Sequence, residues 1–187
     1  MRASGILLHL SSLPGPYGIG TMGKAAYGFV DFLAESGQKY WQILPLSPTG
    51  YGNSPYLAFS TFAGNPYFID LEELIEEGML TREECDSMDF GDDEDDIDYE
   101  DQYQNRYVLL TMAYERSNIS QNSDYRRFVE ENRWWLDDYA LFMALKTFFN
   151  GQCWNEWPQD IRLRWGYSMD YYRRELYFDI EFQMFLQ

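Results

Sequence analysis

The chain has 187 residues, 45% of them apolar and 35 of them aromatic, with a formal net charge of −17. This composition supports a buried core and is not that of a disordered acidic chain. With no Lys/Arg cluster to release counterions, the sequence excludes nucleic acid and anionic membrane surfaces as partners.

The charge is unevenly placed: residues 70–101 hold 17 carboxylates against one base, Arg82, and the remainder is nearly neutral. The length fits roughly one domain of ordinary size. Cys85 and Cys153 have no metal-type spacing; the one disulfide they could form is not suggested by the sequence, and two unpaired thiols in a reducing compartment is the favoured reading. The apolar run Ile6-Leu7-Leu8 is cut by His9 and Pro14, too short for a signal peptide, and no stretch approaches the ~18 apolar residues of a membrane span. A cytoplasmic location is expected.

In chain order, Gly5–Leu10 is a short apolar run bounded by turn residues and predicts a strand buried on both faces. Thr21 is placed to cap a helix over about Lys24–Ser36, with Ala26, Phe29, Val30 and Leu33 at helical spacing and Gly37 just past its end. Residues 41–46 (WQILPL) predict a second buried strand, so the opening is a βαβ unit with the parallel crossover that such units adopt. Residues 47–67 then combine loop-forming Gly, Pro, Ser and Asn with Tyr51, Tyr56, Phe59, Phe62 and Tyr67. A loop of ~20 residues with that much aromatic surface is expected to be functional rather than a passive connection.

From Leu71 onward the pattern is helical. Leu71–Gly78 is a short acidic helix, and Thr81-x-x-Glu84 is a capping-box signature for the next. Residues 86–101 form a solvated acidic run. An amphipathic stretch covers about Tyr103–Arg116, and a helix capped by Ser123 or Asp124 runs to Trp135. Asp137 is placed to cap a further, buried helix containing Tyr139, Leu141, Phe142, Leu145 and Phe148. Gly151–Pro158 is an aromatic turn. A last helix begins near Ser168, with Tyr172, Leu176, Ile180 and Met184 at i+4 spacing. It shows no stop signal before Gln187, and a two-stranded parallel sheet does not close by itself, so the chain reads as the front of something longer.

Gly18-x-Gly20-x-x-Gly23 matches the dinucleotide fingerprint in form only. About seven residues, including Pro14 and Pro16, separate it from the strand, and the second strand ends without the acidic residue that binds ribose. These glycines are instead expected to let backbone pass close to a neighbour. The acidic run offers no register with the Asp/Asn ligands, central Gly and terminal Glu of a calcium loop. His9 is the only histidine, which excludes a multi-histidine metal site, and a structural role is favoured for it over general-base chemistry. Glycoside chemistry needs two flanking carboxyls with tuned acidity, whereas the carboxylates here cluster in a solvated segment.

The blocks Gly5–His9, Ser12–Gly20, Tyr40–Tyr56 and Ser60–Pro66, with WLDDYALFMALK (135–146), WNEWP (154–158) and residues 180–187, resemble the N-terminal part of the bacterial 4-α-glucanotransferase (amylomaltase, disproportionating enzyme) family of the α-amylase superfamily. The resemblance implies an α/β fold, the first two strands of a (β/α)8 barrel over residues 1–69, with the substrate loop at 47–67. It implies a helical inserted subdomain over 70–170, with a mobile acidic segment at 83–101, and a helix returning toward the barrel over 171–187. The implied activity is retaining transfer of α-1,4-glucan segments to the 4-hydroxyl of another glucan or glucose, through a covalent glycosyl-enzyme. The implied substrate contacts are Tyr51, Ser54 and Tyr56, with Asn53 standing where the family usually has Asp. The family's nucleophile Asp, acid/base Glu and stabilising Asp match no motif in this sequence. No catalytic residue, metal or cofactor is therefore assigned, and the 187 residues alone are expected to be inactive. The alternatives are a non-catalytic glucan-binding or partner-binding fragment and an α-glucan hydrolase of the same superfamily.

Overall fold

The computed structural model describes residues 2–50, 52–91, 93 and 96–187. They pack as two compact units, one ending at Ser117 and the other spanning Asn118–Gln187.

The first unit opens with β1 (Gly5–Leu7), α1 (Lys24–Glu35) and β2 (Tyr40–Gln42), and β1 pairs with β2 in parallel, Ile6 opposite Trp41. The βαβ unit is as expected, but its strands are not buried. Each is three residues long, and Leu7 remains 60% and Tyr40 68% exposed. With a two-stranded sheet and one covering helix, only part of one face is packed: Trp41 meets Phe29 of α1 edge-on at 5.0 Å and donates its indole N–H to Leu8 O at 2.8 Å.

Thr21 does not cap α1, which starts from Gly23 without a side-chain cap. The Thr21 hydroxyl donates instead to Asp70 Oδ2 at 2.5 Å, while Asp70 Oδ1 accepts from the Glu72 and Glu73 amides and so caps α2 (Leu71–Glu76). A carboxylate that can satisfy two orphan amides of a helix N-terminus is the stronger acceptor for a nearby hydroxyl. Gly37 does end α1, at φ +72°, with Gln38 N–H bonded to Leu33 O at 2.9 Å, as a left-handed C-terminal cap requires.

The three glycines of the formal fingerprint are packing positions. A methyl group on Gly18 would fall 2.8 Å from Gln102 Nε2 and closer still to Phe90 O, and one on Gly23 would strike the Asp70 carboxylate. They let the segment after β1 run against the helices that follow, where Leu10, Leu13, Ile19, Ala26, Tyr67 and Phe68 form one buried cluster.

The rest of this unit is α3 (Arg82–Asp86), α4 (Tyr99–Asp101), one π-turn (Gln102–Arg106) and α5 (Tyr107–Arg116). The capping box of α3 is present as predicted, and Arg116 grips Glu84 through two bonds of 2.8 and 2.7 Å. That guanidinium, with the Thr81 amide, holds the Glu84 carboxyl down at about 2. Within the acidic run, Phe90 is buried, Ile97 and Tyr99 pack against the core, and Asp98 caps α4. These three apolar residues thus hold the described parts of the run beside them. Asp92, Glu94 and Asp95 lie outside the described residues.

In the second unit, α6 (Ser123–Phe148) is one continuous helix of 26 residues, capped by the Asn122 side chain and not by Ser123 or Asp124. Asp137 therefore lies inside a helix and starts none, because Leu136, Ala140, Leu141, Ala144 and Leu145 continue one buried face across it. The final helix is broken once, into α8 (Gly166–Glu175) and α9 (Tyr177–Leu186), at Leu176. The i+4 hydrogen bonds still run through the break, Leu176 N to Tyr172 O and Ile180 N to Leu176 O, both 2.9 Å. α9 packs along α6 and buries Ile180, Phe182 and Met184. Both cysteines are free thiols, Cys85 buried and Cys153 exposed. No described helix is long and apolar enough to cross a membrane.

Candidate functional site

The loop after β2 is built as a tight excursion on a fixed base. Thr49 bridges Ala58 in antiparallel fashion, and Gly50 N–H bonds Leu57 O at 3.1 Å. Two successive turns shape the tip, Asn53 N–H to Gly50 O at 3.1 Å and Leu57 N–H to Ser54 O at 3.0 Å. Gly52 (φ +84°) and Asn53 (φ +53°) at the end of the first turn have left-handed backbone. Asparagine is among the few side chains that enter this region readily, so the sequence departure at 53 is conformationally compatible while removing a charge.

Beyond the tip, Ser60 Oγ accepts from the Phe62 and Ala63 amides at 3.1 and 3.2 Å. Asn65 closes the base. Its amide bonds Leu46 O at 2.8 Å, and its buried side chain accepts from Tyr67 N–H at 3.0 Å to start the 3-10 turn Pro66–Phe68. The ends of the loop are thus tied to the core while the tip faces solvent.

Of the predicted contact residues, Ser54 and Tyr56 are brought together at that tip. Ser54 Oγ accepts from the Tyr56 amide at 3.4 Å, and the Tyr56 side chain is 74% exposed. Tyr51 lies outside the described residues. Leu57, Phe59 and Phe62 add exposed apolar surface beside them. Leu57 was not foreseen, since an aliphatic residue in a loop carries no chemical signature, and only the turn that follows Ser54 turns it outward. The loop from Ser47 to Tyr67 contains no ionisable group other than tyrosine. It offers apolar faces and hydroxyls to a neutral ligand, and neither an anion site nor a general acid.

His9 lies two residues past the C-terminal end of β1, edge-on to Phe68 at 5.5 Å, with Nδ1 buried and unpartnered among the described residues. Burial lowers its pKa below the ordinary value, so it is neutral at pH 7. The best-placed carboxylates of this unit are structural: Asp70 caps α2, Glu84 completes the α3 box, and Glu72 takes a bidentate grip from Arg82 at 2.8 and 2.6 Å. Among the described residues no group of three or more His, Cys, Asp or Glu could hold a metal ion.

A family model described as 4-alpha-glucanotransferase matches residues 8–187. The 4-alpha-glucanotransferase of Clostridium butyricum is 48% identical over 96% of this chain and 37% of its own length, and that of Thermus thermophilus is 44% identical over 100% of this chain and 37% of its own. The solved structure of amylomaltase from Streptococcus agalactiae in complex with acarbose superposes with a TM-score of 0.92 at 38% identity, covering 100% of this chain and 38% of that one. The chain thus spans a little over a third of the length of the relatives it matches.

Proposed function

Because this chain belongs to the 4-alpha-glucanotransferase family, we propose that its protein transfers α-1,4-glucan segments to the 4-hydroxyl of an acceptor glucan or glucose with retention of configuration. Residues 1–69 are then the first two strands of a (β/α)8 barrel, 70–170 a helical insertion carrying the acidic segment 83–101, and 171–187 a helix returning to the barrel. In a barrel the loops after the strands build the active-site face. The loop at 47–67 therefore holds the glucan, with Tyr51 and Tyr56 as apolar platforms and Ser54 as a hydrogen-bonding hydroxyl.

Retaining transfer breaks the glycosidic bond and forms a glycosyl–enzyme ester, with the leaving oxygen protonated by a general acid. The ester is then opened by the acceptor 4-hydroxyl, whose proton returns to the same residue. Nothing in these 187 residues is assigned either role, so this stretch binds and positions substrate and leaves the chemistry to carboxylates outside it. The free thiols of Cys85 and Cys153 accord with a cytoplasmic protein.

The observation that carries this reading is the charge-free aromatic loop fixed at the C-terminal end of β2. Its test is the product pattern from maltotriose with the full protein. Glucose and maltooligosaccharides longer than the substrate are expected, with the number of reducing ends unchanged, because each bond broken is replaced by one formed. A steady rise in reducing ends without longer products would establish a hydrolase instead.

A further inference from the structure

The second unit holds an aromatic feature that the loop at 47–67 does not explain. The turn Trp154–Glu156 presents the Trp154 indole 55% exposed, whereas Trp157 is buried. Trp157 stands 5.5 Å from Phe142 and 5.4 Å from Phe149, and its Nε1–H donates to Gln152 O at 3.2 Å. Arg162 ties the same turn to α7 (Gln159–Arg162) by donating to Asn155 O at 3.0 Å. Between this turn and α6 opens a cavity of about 290 Å³, lined by Leu141, Phe142 and Met169 together with Asp138, Arg162 and Arg164. Arg164 Nη2 donates to Asp138 Oδ1 at 2.6 Å. It does so from a left-handed backbone, φ +54°, in a turn where Arg164 N–H bonds Ile161 O and Trp165 N–H bonds Asp160 O, both at 2.9 Å.

We propose that this cavity is a second glucan-holding site that takes one glucosyl unit of an α-1,4 chain; the inference rests on the glucanotransferase function proposed above. Its volume lies at the lower end of small-ligand cavities, ~300–1,000 Å³, which suits one ring and not an oligosaccharide. The exposed indole offers a flat face to the C–H side of the sugar. The planar carboxylate and guanidinium offer an acceptor pair and a donor fork to adjacent hydroxyls. Both charged groups are more than half exposed, and an exposed ion pair contributes little alone. Exchanging part of it for sugar hydroxyls therefore costs little. A neutral glucan also meets no repulsion from a chain of net charge −17. A long polymer offers many units and engages two sites on one protein, gaining effective concentration, whereas a trisaccharide does not.

The test compares the full protein with its Trp154→Ala variant by retardation in glycogen-containing native gels and by maltotriose disproportionation. Apparent glycogen affinity is expected to fall about tenfold, the size of one stacked aromatic contact. The maltotriose rate stays unchanged, and Trp154→Phe restores most of the affinity. The double variant Asp138→Asn with Arg164→Gln changes only exposed side chains, and it carries the test if Trp154→Ala disturbs folding. Wild-type glycogen affinity in both variants, with maltotriose activity intact, would overturn the site and leave the proposed function standing. A wild-type protein with no action on maltotriose would overturn both.

Discussion

Replacing Arg106 by alanine is expected to cost the first unit about 3–5 kcal/mol, the combined scale of acceptors left without their donor and of the cavity opened by truncating a large buried side chain. Arg106 is completely buried. Its Nε donates to Gln102 Oε1 at 2.8 Å, Nη1 to Ile69 O at 2.9 Å and Nη2 to Tyr17 O at 3.3 Å, and Gln102 Nε2 donates to the same Tyr17 carbonyl at 2.8 Å. Its guanidinium carbon lies 5.6 Å from the centre of the Phe90 ring. No described carboxylate is within ion-pair distance of it, and burial lowers its pKa to about 10, leaving it charged at neutral pH. The side chain joins the turn after β1, the start of α2 and the π-turn. Without it, Gln102 Oε1 and Ile69 O lose this donor, Tyr17 O keeps only the bond from Gln102 Nε2, and a large cavity opens. Arg106→Lys is expected to recover little, since a single ammonium does not span three acceptors set in a fork. Urea unfolding of the variants checks this, and a loss below about 1 kcal/mol for alanine would show that water or repacking replaces the network.

The second large effect is expected at Gly20. An added methyl group would sit 2.7 and 2.8 Å from Leu13 O and N, and nearer still to Leu10 O. All three are backbone atoms of a segment whose hydrogen bonds, among them Gly20 N–H to Ser11 O at 3.0 Å, leave it no room to give. Gly20→Ala is expected to destabilise by about 3 kcal/mol, the upper end of ordinary overpacking. The control is Gly28→Ala in the middle of α1, where a methyl group meets nothing within 4 Å and helix propensity favours alanine by about 0.5–1 kcal/mol. Thermal midpoints moving in opposite directions for the two variants would separate steric clash from propensity. A shift of the same sign in both would refute the close-packing account.

What the sequence made legible were features carried by a few adjacent residues. The βαβ order, the Gly37 stop, the Thr81/Glu84 box and the role of the Gly18–Gly23 glycines as close-approach positions all follow from local chemistry. Features decided by competition over distance were not legible. Thr21 left its helix because a carboxylate 49 positions away was the better partner. Asp137 failed to start a helix because the apolar face of α6 ran through it. Within these 187 residues the strands are exposed because one helix covers only part of one face of a two-stranded sheet, and periodicity does not report how many layers cover a sheet. The candidate loop was recognisable from aromatic density and from resemblance. Its turn geometry was not, since the left-handed Asn53 and the Ser54–Leu57 turn depend on the Thr49–Ala58 bridge. The Trp154 turn was visible only as aromatic composition, because its cavity requires α6 and α7 to face it.

The most direct measurement is calorimetric titration of the full protein with maltoheptaose, wild type against Tyr56→Ala. Tyr56 is 74% exposed and lies outside the described buried cluster around Leu10 and Phe68, so the substitution reports on ligand and not on folding. A dissociation constant raised about tenfold, equivalent to the ~1.4 kcal/mol of one aromatic platform, is the expected result. Identical affinities in the two proteins would contradict the assignment of the 47–67 loop to the glucan.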